Sequence, residues 1–115
     1  MPDKLNLFGI FLSQVRLYFP MNKIEIRYCT KCRWLMRSAW MAQELLTTFE
    51  GDLNEVSLQP GEGGIFEIIA NGKLIWSRKE MGRFPEITEL KQCVRNCIAP
   101  EKDLGCIDRK KRREE

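Results

Sequence analysis

The 115-residue sequence contains no histidine, and this absence removes two kinds of chemistry. Imidazole is the side chain that changes charge near neutral pH, and it is the commonest side-chain metal ligand in proteins. Proton transfer by histidine and histidine-containing metal centres are therefore excluded.

Long hydrophobic runs are also missing. The apolar stretch over residues 5–12 is interrupted from Ser13 onward, well short of the roughly 18 residues that a membrane span needs. The stretch also makes a poor secretory signal, because Asp3 offsets Lys4 and no small-residue cleavage site follows. We expect neither a membrane span nor a secretory leader.

Three interpretations fit residues 1–22. They form an amphipathic surface anchor, a helix docked on the domain, or an extension upstream of a natural start at Met21. The third is favoured, because a strand pattern begins directly after Met21.

The chain also lacks a basic stripe with interleaved aromatic residues. Its net charge is only +3, and much of the excess lies in Arg109–Arg113, next to Glu114 and Glu115. Nucleic-acid binding usually leaves such a stripe, so we expect no nucleic-acid partner.

The residues that are present suffice for one small domain. With 43% hydrophobic residues, a chain of this length can build one compact core. Its five cysteines are odd in number and unevenly spaced, unlike the disulfide framework of a small secreted domain. We therefore expect a single domain in a reducing compartment, the cytoplasm.

Hydrophobic periodicity predicts the element order β-α-β-β-β-α. Ile24, Ile26 and Tyr28 alternate with charged residues in a first strand. Apolar residues then recur at steps of three and four up to about Thr48, which indicates a helix. The predicted apolar face of that helix comprises Leu35, Ala39, Ala42, Leu46 and Phe49. Further strands are predicted to end at residues 60–61 and to span 65–70 and 73–78, before a last helix that carries Ile87, Leu90, Val94 and Ile98.

The connections between these elements predict a four-stranded mixed sheet with two main helices. Strand, helix and strand in succession imply a right-handed crossover and a parallel pair. Asn71–Gly72 is a strong signal for an antiparallel hairpin, because a type I′ turn needs positive φ at both positions. Pro85 is expected in the first turn of the last helix. The domain should span residues 23–100, followed by a charged, disordered tail over 101–115.

Cys29 and Cys32 are the candidate catalytic residues. A cysteine pair with two intervening residues, placed between a strand and the start of a helix, belongs to the thioredoxin-like arrangement and can close a disulfide. The helix dipole and neighbouring cations can lower a thiol pKa there. The neighbouring cations are Arg27, Lys31, Arg33 and Arg37. Thiol–disulfide exchange follows, and helix-start geometry makes Cys29 the exposed attacker and Cys32 the resolving thiol.

The residues alone leave other interpretations open. The same spacing serves zinc sites, and Cys93 and Cys97 lie four apart on one helix face, so the two pairs together would make a four-thiolate zinc site. Cysteines in a core also fit as small buried hydrophobes. Because no group besides the cysteines looks catalytic, a redox-regulated protein-binding module without turnover fits as well.

Five spaced stretches occur in one order along the chain, namely YCTKCRW at 28–34, AWMAQELLTTF at 39–49, PGEGGIFEI at 60–68, NGKLIW at 71–76 and GRFPE at 82–86. Together they resemble the selenoprotein W-related family, also called the Rdx family, in its bacterial cysteine-containing form. The resemblance runs from about Lys23 to Pro100.

This resemblance implies a thioredoxin-like fold and a role in cell redox homeostasis. Its partners would be protein thiols or disulfides, with glutathione or a thioredoxin-type protein as electron donor. Selenocysteine, where family members carry it, falls at the position matching Cys32, which implies that Cys32 attacks. Helix-start geometry favours Cys29, so the two roles stay open. No cofactor or metal is expected.

Some features fall outside the resemblance. Residues 1–20 and three further cysteines have no counterpart in the family's motifs. Those cysteines are Cys93, Cys97 and Cys106. The family also lacks the usual proline directly before the third strand, and here Pro60 is followed by Gly61, Gly63 and Gly64. These glycines let the backbone approach the sulfur pair or a bound peptide, although turn formation alone also explains them.

Overall fold

The computed structural model of the chain describes residues 21–109. Its strands are β1 (Lys23–Cys29), β2 (Glu55–Gly61), β3 (Phe66–Ala70) and β4 (Lys73–Ser77), and its helices are α1 (Leu35–Thr48), α2 (Arg78–Met81) and α3 (Ile87–Ile98). The predicted order β-α-β-β-β-α is confirmed, and the single-turn helix α2 is an element that the sequence analysis does not predict. Residues 1–20 of the predicted extension and residues 110–115 of the predicted tail lie outside the described residues.

Strand β1 lies inside the sheet, whose order is β2-β1-β3-β4. It pairs in parallel with β2 and antiparallel with β3, and β3 pairs antiparallel with β4, so the predicted mixed sheet is confirmed. In this register Cys29 is opposite Gly61, and the preceding Tyr28 is opposite Phe66. The end of β1 therefore places the cysteine segment against the connection from β2 to β3.

The hairpin between β3 and β4 forms as predicted. Asn71 and Gly72 have φ angles of 50° and 82°, the two positive values that a type I′ turn requires. The Asn71 side chain also accepts a hydrogen bond of 2.9 Å from the Lys23 N–H. The turn thereby fixes the start of β1 beside the hairpin.

Helices α1 and α3 cover one face of the sheet. The strands contribute Ile24, Ile26 and Ile68 to the core, and none of these side chains is exposed. Leu45 of α1 and Leu90 of α3 are likewise fully buried. Burying such side chains contributes roughly 1.5–3 kcal/mol each.

The buried face of α1 is rotated from the prediction, although Ala42 and Phe49 of the predicted face are buried. Its buried residues are Ser38, Met41, Ala42 and Leu45, whereas the predicted Leu35 and Leu46 are 48% and 42% exposed. Apolar residues surround most of this helix, so a 3.6-residue period fits two overlapping faces. Ser38 is tolerated inside because its hydroxyl donates a hydrogen bond of 2.8 Å to the Trp34 carbonyl.

Helix α3 begins later than Pro85 predicts. Glu86 is the N-cap, with φ −66° and ψ 146°, so Pro85 precedes the helix instead of lying in its first turn. Glu86 and Glu89 form a capping box in which each carboxylate accepts the other residue's backbone N–H. Two of the N–H groups that helix geometry leaves free are thereby satisfied, and this sets the start at Ile87.

Residues 101–109 include the described part of the predicted tail, and they lie against the domain. Asp108 accepts hydrogen bonds from the Arg95 guanidinium at 2.7 and 3.1 Å and from the Leu104 N–H at 2.8 Å. Lys102 pairs with Asp52 at 3.0 Å. The side chain of Leu104 packs against the core.

Within residues 21–109, no helix combines the length and apolar character that crossing a membrane requires.

Candidate functional site

The two predicted site cysteines occupy different kinds of position. Cys29 is the last residue of β1 and is 2% exposed, whereas Cys32 lies in the following turn and is exposed. Helix α1 begins only at Leu35. The prediction that the pair lies at the helix start is therefore wrong by three residues.

Backbone geometry explains this displacement. Arg33 has φ 60°, in the left-handed region, so a right-handed helix cannot include it. Its N–H donates to the Thr30 carbonyl at 3.0 Å, and the Trp34 N–H donates to the Cys29 carbonyl at 3.4 Å. A tight turn, and not a helical turn, brings the two cysteines together.

The sulfur atoms of Cys29 and Cys32 lie 2.8 Å apart, and both are free thiols. A disulfide bond is about 2.04 Å long, so closing it needs a movement of less than about 1 Å. The Cys32 thiol donates a hydrogen bond to the Cys29 sulfur. The structure thus brings the predicted pair together at close to disulfide distance.

This hydrogen bond separates the acidities of the two thiols. The pKa of Cys29 is lowered, chiefly because Cys32 donates to its sulfur and also because the backbone N–H groups of Gly64, Cys32 and Lys31 do so; burial acts in the opposite direction. The pKa of Cys32 is raised, first because this thiol keeps the proton that it donates to Cys29. The pair therefore holds its first negative charge on Cys29.

Acidity and exposure thus favour different attackers. The lower pKa makes Cys29 the better thiolate, but its side chain is buried. Cys32 keeps its proton more firmly and meets solvent. The prediction that Cys29 is the exposed cysteine is wrong. Strand β1 ends at Cys29 inside the sheet, whereas Cys32 lies in the exposed turn that follows the strand.

The connection from β2 to β3 wraps around the sulfur pair. Gly61 holds the turn, since the Thr30 N–H donates to its carbonyl at 3.1 Å, and a Cβ at Gly61 would lie only 2.8 Å from the Ile65 Cγ2. Gly63 and Gly64 both have positive φ, at 71° and 74°. This backbone shape directs the Gly64 N–H at Cys29, as expected of glycines that allow close approach.

An aromatic cluster of Trp34, Phe66 and Phe84 packs next to the pair. The ring of Phe84 meets both others edge to face, with centroids 4.9 Å away in each case. Phe66 is buried, and Trp34 and Phe84 are half-buried against the core. Trp34 therefore packs against the core at the end of the turn that carries the cysteines.

Two guanidinium groups lie on these rings. The Cζ of Arg37 is 4.1 Å from the Phe84 centroid, and the Cζ of Arg78 is 5.0 Å from the centroids of both Trp34 and Phe84. The positive charge of Arg78 acts to lower the pKa of Cys32, against the larger effects that raise it. Arg27, by contrast, donates to Gln59 on β2.

The sequence predicted Arg37 among the cations near the cysteine pair but not Arg78. The helix that places Arg78 could have been predicted from Ser77-Arg78-Lys79-Glu80, whose Ser-x-x-Glu spacing is typical of a helix N-terminus. In the structure the Ser77 hydroxyl accepts a hydrogen bond from the Glu80 N–H. That cap begins α2, and its first residue, Arg78, lies close enough for its charge to act on Cys32.

The remaining cysteines are not joined to the pair. Cys93 and Cys97 lie half-buried on α3, and Cys106 is exposed. Residues 21–109 contain no cluster of three or more Cys, Asp or Glu side chains that could hold a metal ion. The four-thiolate zinc site that the spacing allowed is therefore not formed.

Comparisons with known proteins found one family match and similar solved structures. Residues 23–96 match the Rdx family. A crystal structure of a Bordetella parapertussis protein is 56% identical, with a TM-score of 0.65, and the alignment covers 66% of this chain and 96% of that one. A selenoprotein W-related protein from Vibrio cholerae is 53% identical with the same TM-score, covering 66% of this chain and 95% of that one. No curated protein matches the chain.

Proposed function

The chain belongs to the Rdx family, and on that premise we propose that it is a thiol–disulfide redox protein whose working groups are Cys29 and Cys32. One observation carries the proposal: the two sulfurs lie 2.8 Å apart, and one of them is open to solvent. A client disulfide can reach Cys32, and Cys29 stands directly behind it. The thioredoxin-like order of strands and helices supports the same chemistry.

The exchange begins at Cys32. Its proton moves along the 2.8 Å hydrogen bond to the Cys29 thiolate, which leaves a thiolate on the exposed sulfur. That thiolate attacks one sulfur of the client disulfide, the client S–S bond breaks, and the first client thiolate leaves and takes up a proton from solvent. A mixed disulfide now joins Cys32 to the client.

Cys29 completes the reaction. The backbone N–H groups of Gly64, Cys32 and Lys31 remain aimed at its sulfur and stabilise the thiolate when its proton departs. Cys29 attacks the Cys32 sulfur, the mixed disulfide breaks, and the second client thiol is released. In sum, two protein thiols are oxidised to the Cys29–Cys32 disulfide, and one client disulfide is reduced to two thiols.

The family supplies the wider role in this proposal. We place the protein in cell redox homeostasis in the cytoplasm, with protein thiols or disulfides as clients. Glutathione or a thioredoxin-type protein then reduces the Cys29–Cys32 disulfide and closes the cycle.

Trapping of the mixed disulfide tests this assignment. Cys29→Ser keeps the exposed attacker and lacks the resolving thiol, so a disulfide peptide should accumulate on Cys32. Cys32→Ser leaves only the buried Cys29 and should trap the same peptide far more slowly. Equal trapping by both variants would contradict the roles, and no trapping by either would contradict exchange itself.

A redox-regulated binding module without turnover is the second candidate, and the surface of α1 favours it. Met36 is 83% exposed and Trp40 is 48% exposed, one helical turn apart and close in sequence to Cys32. Pull-downs separate the two candidates. Partners retained equally by the wild type and by the Cys29→Ser, Cys32→Ser double variant would indicate binding without exchange.

A further inference from the structure

A groove of about 640 Å³ lies between the start of β3 and the start of α2. One wall is formed by residues 63–67 at the start of β3, and the other by residues 77–79 at the end of β4 and the start of α2. Gly64 belongs to this wall and also donates its N–H to the Cys29 sulfur. A molecule lying against Gly64 in the groove is therefore separated from the Cys29 sulfur by this residue alone.

Arg78 is the residue in this groove whose bonding is incomplete. Its Nε is buried and makes no hydrogen bond, and Arg78 takes part in none of the ion pairs found between residues 21 and 109. The Cζ of Arg78 lies 5.0 Å from the ring centroids of Trp34 and Phe84, and these cation–π contacts hold the guanidinium at the groove. A guanidinium with no ion-pair partner among residues 21–109 can bind a carboxylate through two parallel hydrogen bonds.

The groove contains two further charged residues, and its net charge remains positive. Lys79 adds a second cation, and Glu67 contributes one carboxylate on the opposite wall. Glu67 also takes part in none of the ion pairs found between residues 21 and 109. The groove therefore holds an excess of one positive charge beside Cys32.

We infer that Arg78 is a specificity residue, and that the groove takes a carboxylate carried by the client next to its reacting disulfide. This inference rests on the proposed function and names its substrate class. When Cys32 attacks, the client carboxylate lies on Arg78 and the client S–S bond is held over the turn. The carboxylate is chemically unchanged, so the electron balance of the exchange stays as given above.

Paired disulfide probes that differ only in charge test the inference. The small pair is dithiodipropionate and its neutral diamide. The peptide pair carries glutamate or glutamine beside the disulfide-bonded cysteine. The measured quantity is the ratio of acidic to neutral oxidation rates for the reduced protein at one ionic strength, because this ratio cancels changes in thiol reactivity.

For the wild type we expect the acidic member of at least one pair to react on the order of tenfold faster, the size of one charge-assisted hydrogen bond. Arg78→Gln should bring the ratio close to one, and Arg78→Lys should retain part of it. Glu67→Gln should raise it, since the opposing carboxylate is gone. Lys73→Gln is the matched control: it removes the same charge from the exposed start of β4, roughly 16 Å away at about 3.3 Å per residue, and should keep the wild-type ratio.

The outcomes separate this inference from the proposed function. A preference limited to the dithiodipropionate pair identifies a small acidic disulfide as the client class, and one limited to the peptide pair identifies an acidic protein segment. Equal rates within both pairs, or a preference that survives Arg78→Gln, overturn the inference while exchange itself stands. If no probe oxidises the pair, the proposed function fails first.

Discussion

The Cys32 thiol donates a hydrogen bond to the Cys29 sulfur across 2.8 Å, although the recipient is 2% exposed and the donor faces solvent. Acidity and access are thereby divided between two atoms in contact. A proton needs to move only along this hydrogen bond to transfer the charge to the accessible sulfur.

Exposure predicts the order of alkylation. Iodoacetamide should modify Cys32 about tenfold faster than Cys29 in the folded protein, because reactivity requires access as well as thiolate character. Peptide mass spectrometry at short reaction times measures both rates. Cys106, exposed in another part of the described chain, provides the rate of a solvent-facing thiol outside the pair. Earlier modification of Cys29 would show that it, and not Cys32, meets the client.

The hydrogen bond between the thiols predicts a change in acidity. Replacing Cys32 with alanine removes the S–H donor, which is the largest cause of the lowered pKa of Cys29. That pKa should rise in the variant, since burial then acts against fewer hydrogen bonds. Thiolate absorbance against pH measures it, in a background where Cys93, Cys97 and Cys106 are serine. An unchanged or lower pKa would mean that Cys32 does not stabilise the Cys29 thiolate.

Gly64 offers a test of the backbone contribution with a matched control. Alanine at Gly64 or at Gly72 must adopt positive φ, and neither Cβ would meet another atom within 4 Å, so each change should cost about 1 kcal/mol of unfolding free energy. Only Gly64→Ala can move an N–H away from the Cys29 sulfur. Urea unfolding should therefore rank the two variants alike, while the pKa of Cys29 rises in Gly64→Ala alone. A similar rise in Gly72→Ala would remove the special role of Gly64.

The contact between Asp108 and Arg95 predicts a pH-dependent attachment of residues 102–108. The Arg95 guanidinium and then the Leu104 N–H hold the pKa of Asp108 well below its usual range. A lowered folded-state pKa stabilises the fold above the unfolded value of about 3.9, and this contribution is lost as pH falls toward the folded value. Asp108→Asn should lower the melting temperature by several degrees at pH 7, and this difference should shrink progressively as pH falls below the unfolded value.

Amide hydrogen exchange localises that effect. Residues 102–108 should exchange faster in Asp108→Asn than in the wild type, because their hydrogen bonds to the carboxylate are lost. Glu101→Gln, at the exposed position directly before this segment, is the control and should exchange as the wild type does. Unchanged protection in Asp108→Asn would show that the ion pair does not hold the segment.

The sequence predicted the fold correctly where a single local pattern allows one structure only. Asn71–Gly72 allows one favourable hairpin turn, and the alternation in β1 allows one buried face, so both predictions are confirmed. Helix α1 is apolar on most sides, and its period could not distinguish the face that contains Leu45 from the one that contains Leu46. Such a choice depends on the sheet against which the helix packs.

The sequence predicted that the two candidate cysteines lie close together, but it did not predict their exposure. Spacing and family motifs identify Cys29 and Cys32, but their exposure depends on where β1 ends, and the left-handed Arg33 delays the helix. Arg78 is far from both cysteines in sequence, and only the pairing of β1 with β3 and of β3 with β4 brings it near them. Long-range pairing of this kind leaves little local signal.

A redox titration followed by peptide mass spectrometry tests the central claim most directly. We predict a disulfide between Cys29 and Cys32 with a midpoint in the cytosolic range, roughly −320 to −220 mV, and the same midpoint when Cys93, Cys97 and Cys106 are serine. A redox function for this pair would be contradicted if no oxidant joined Cys29 to Cys32, or if disulfides formed only among the other three cysteines.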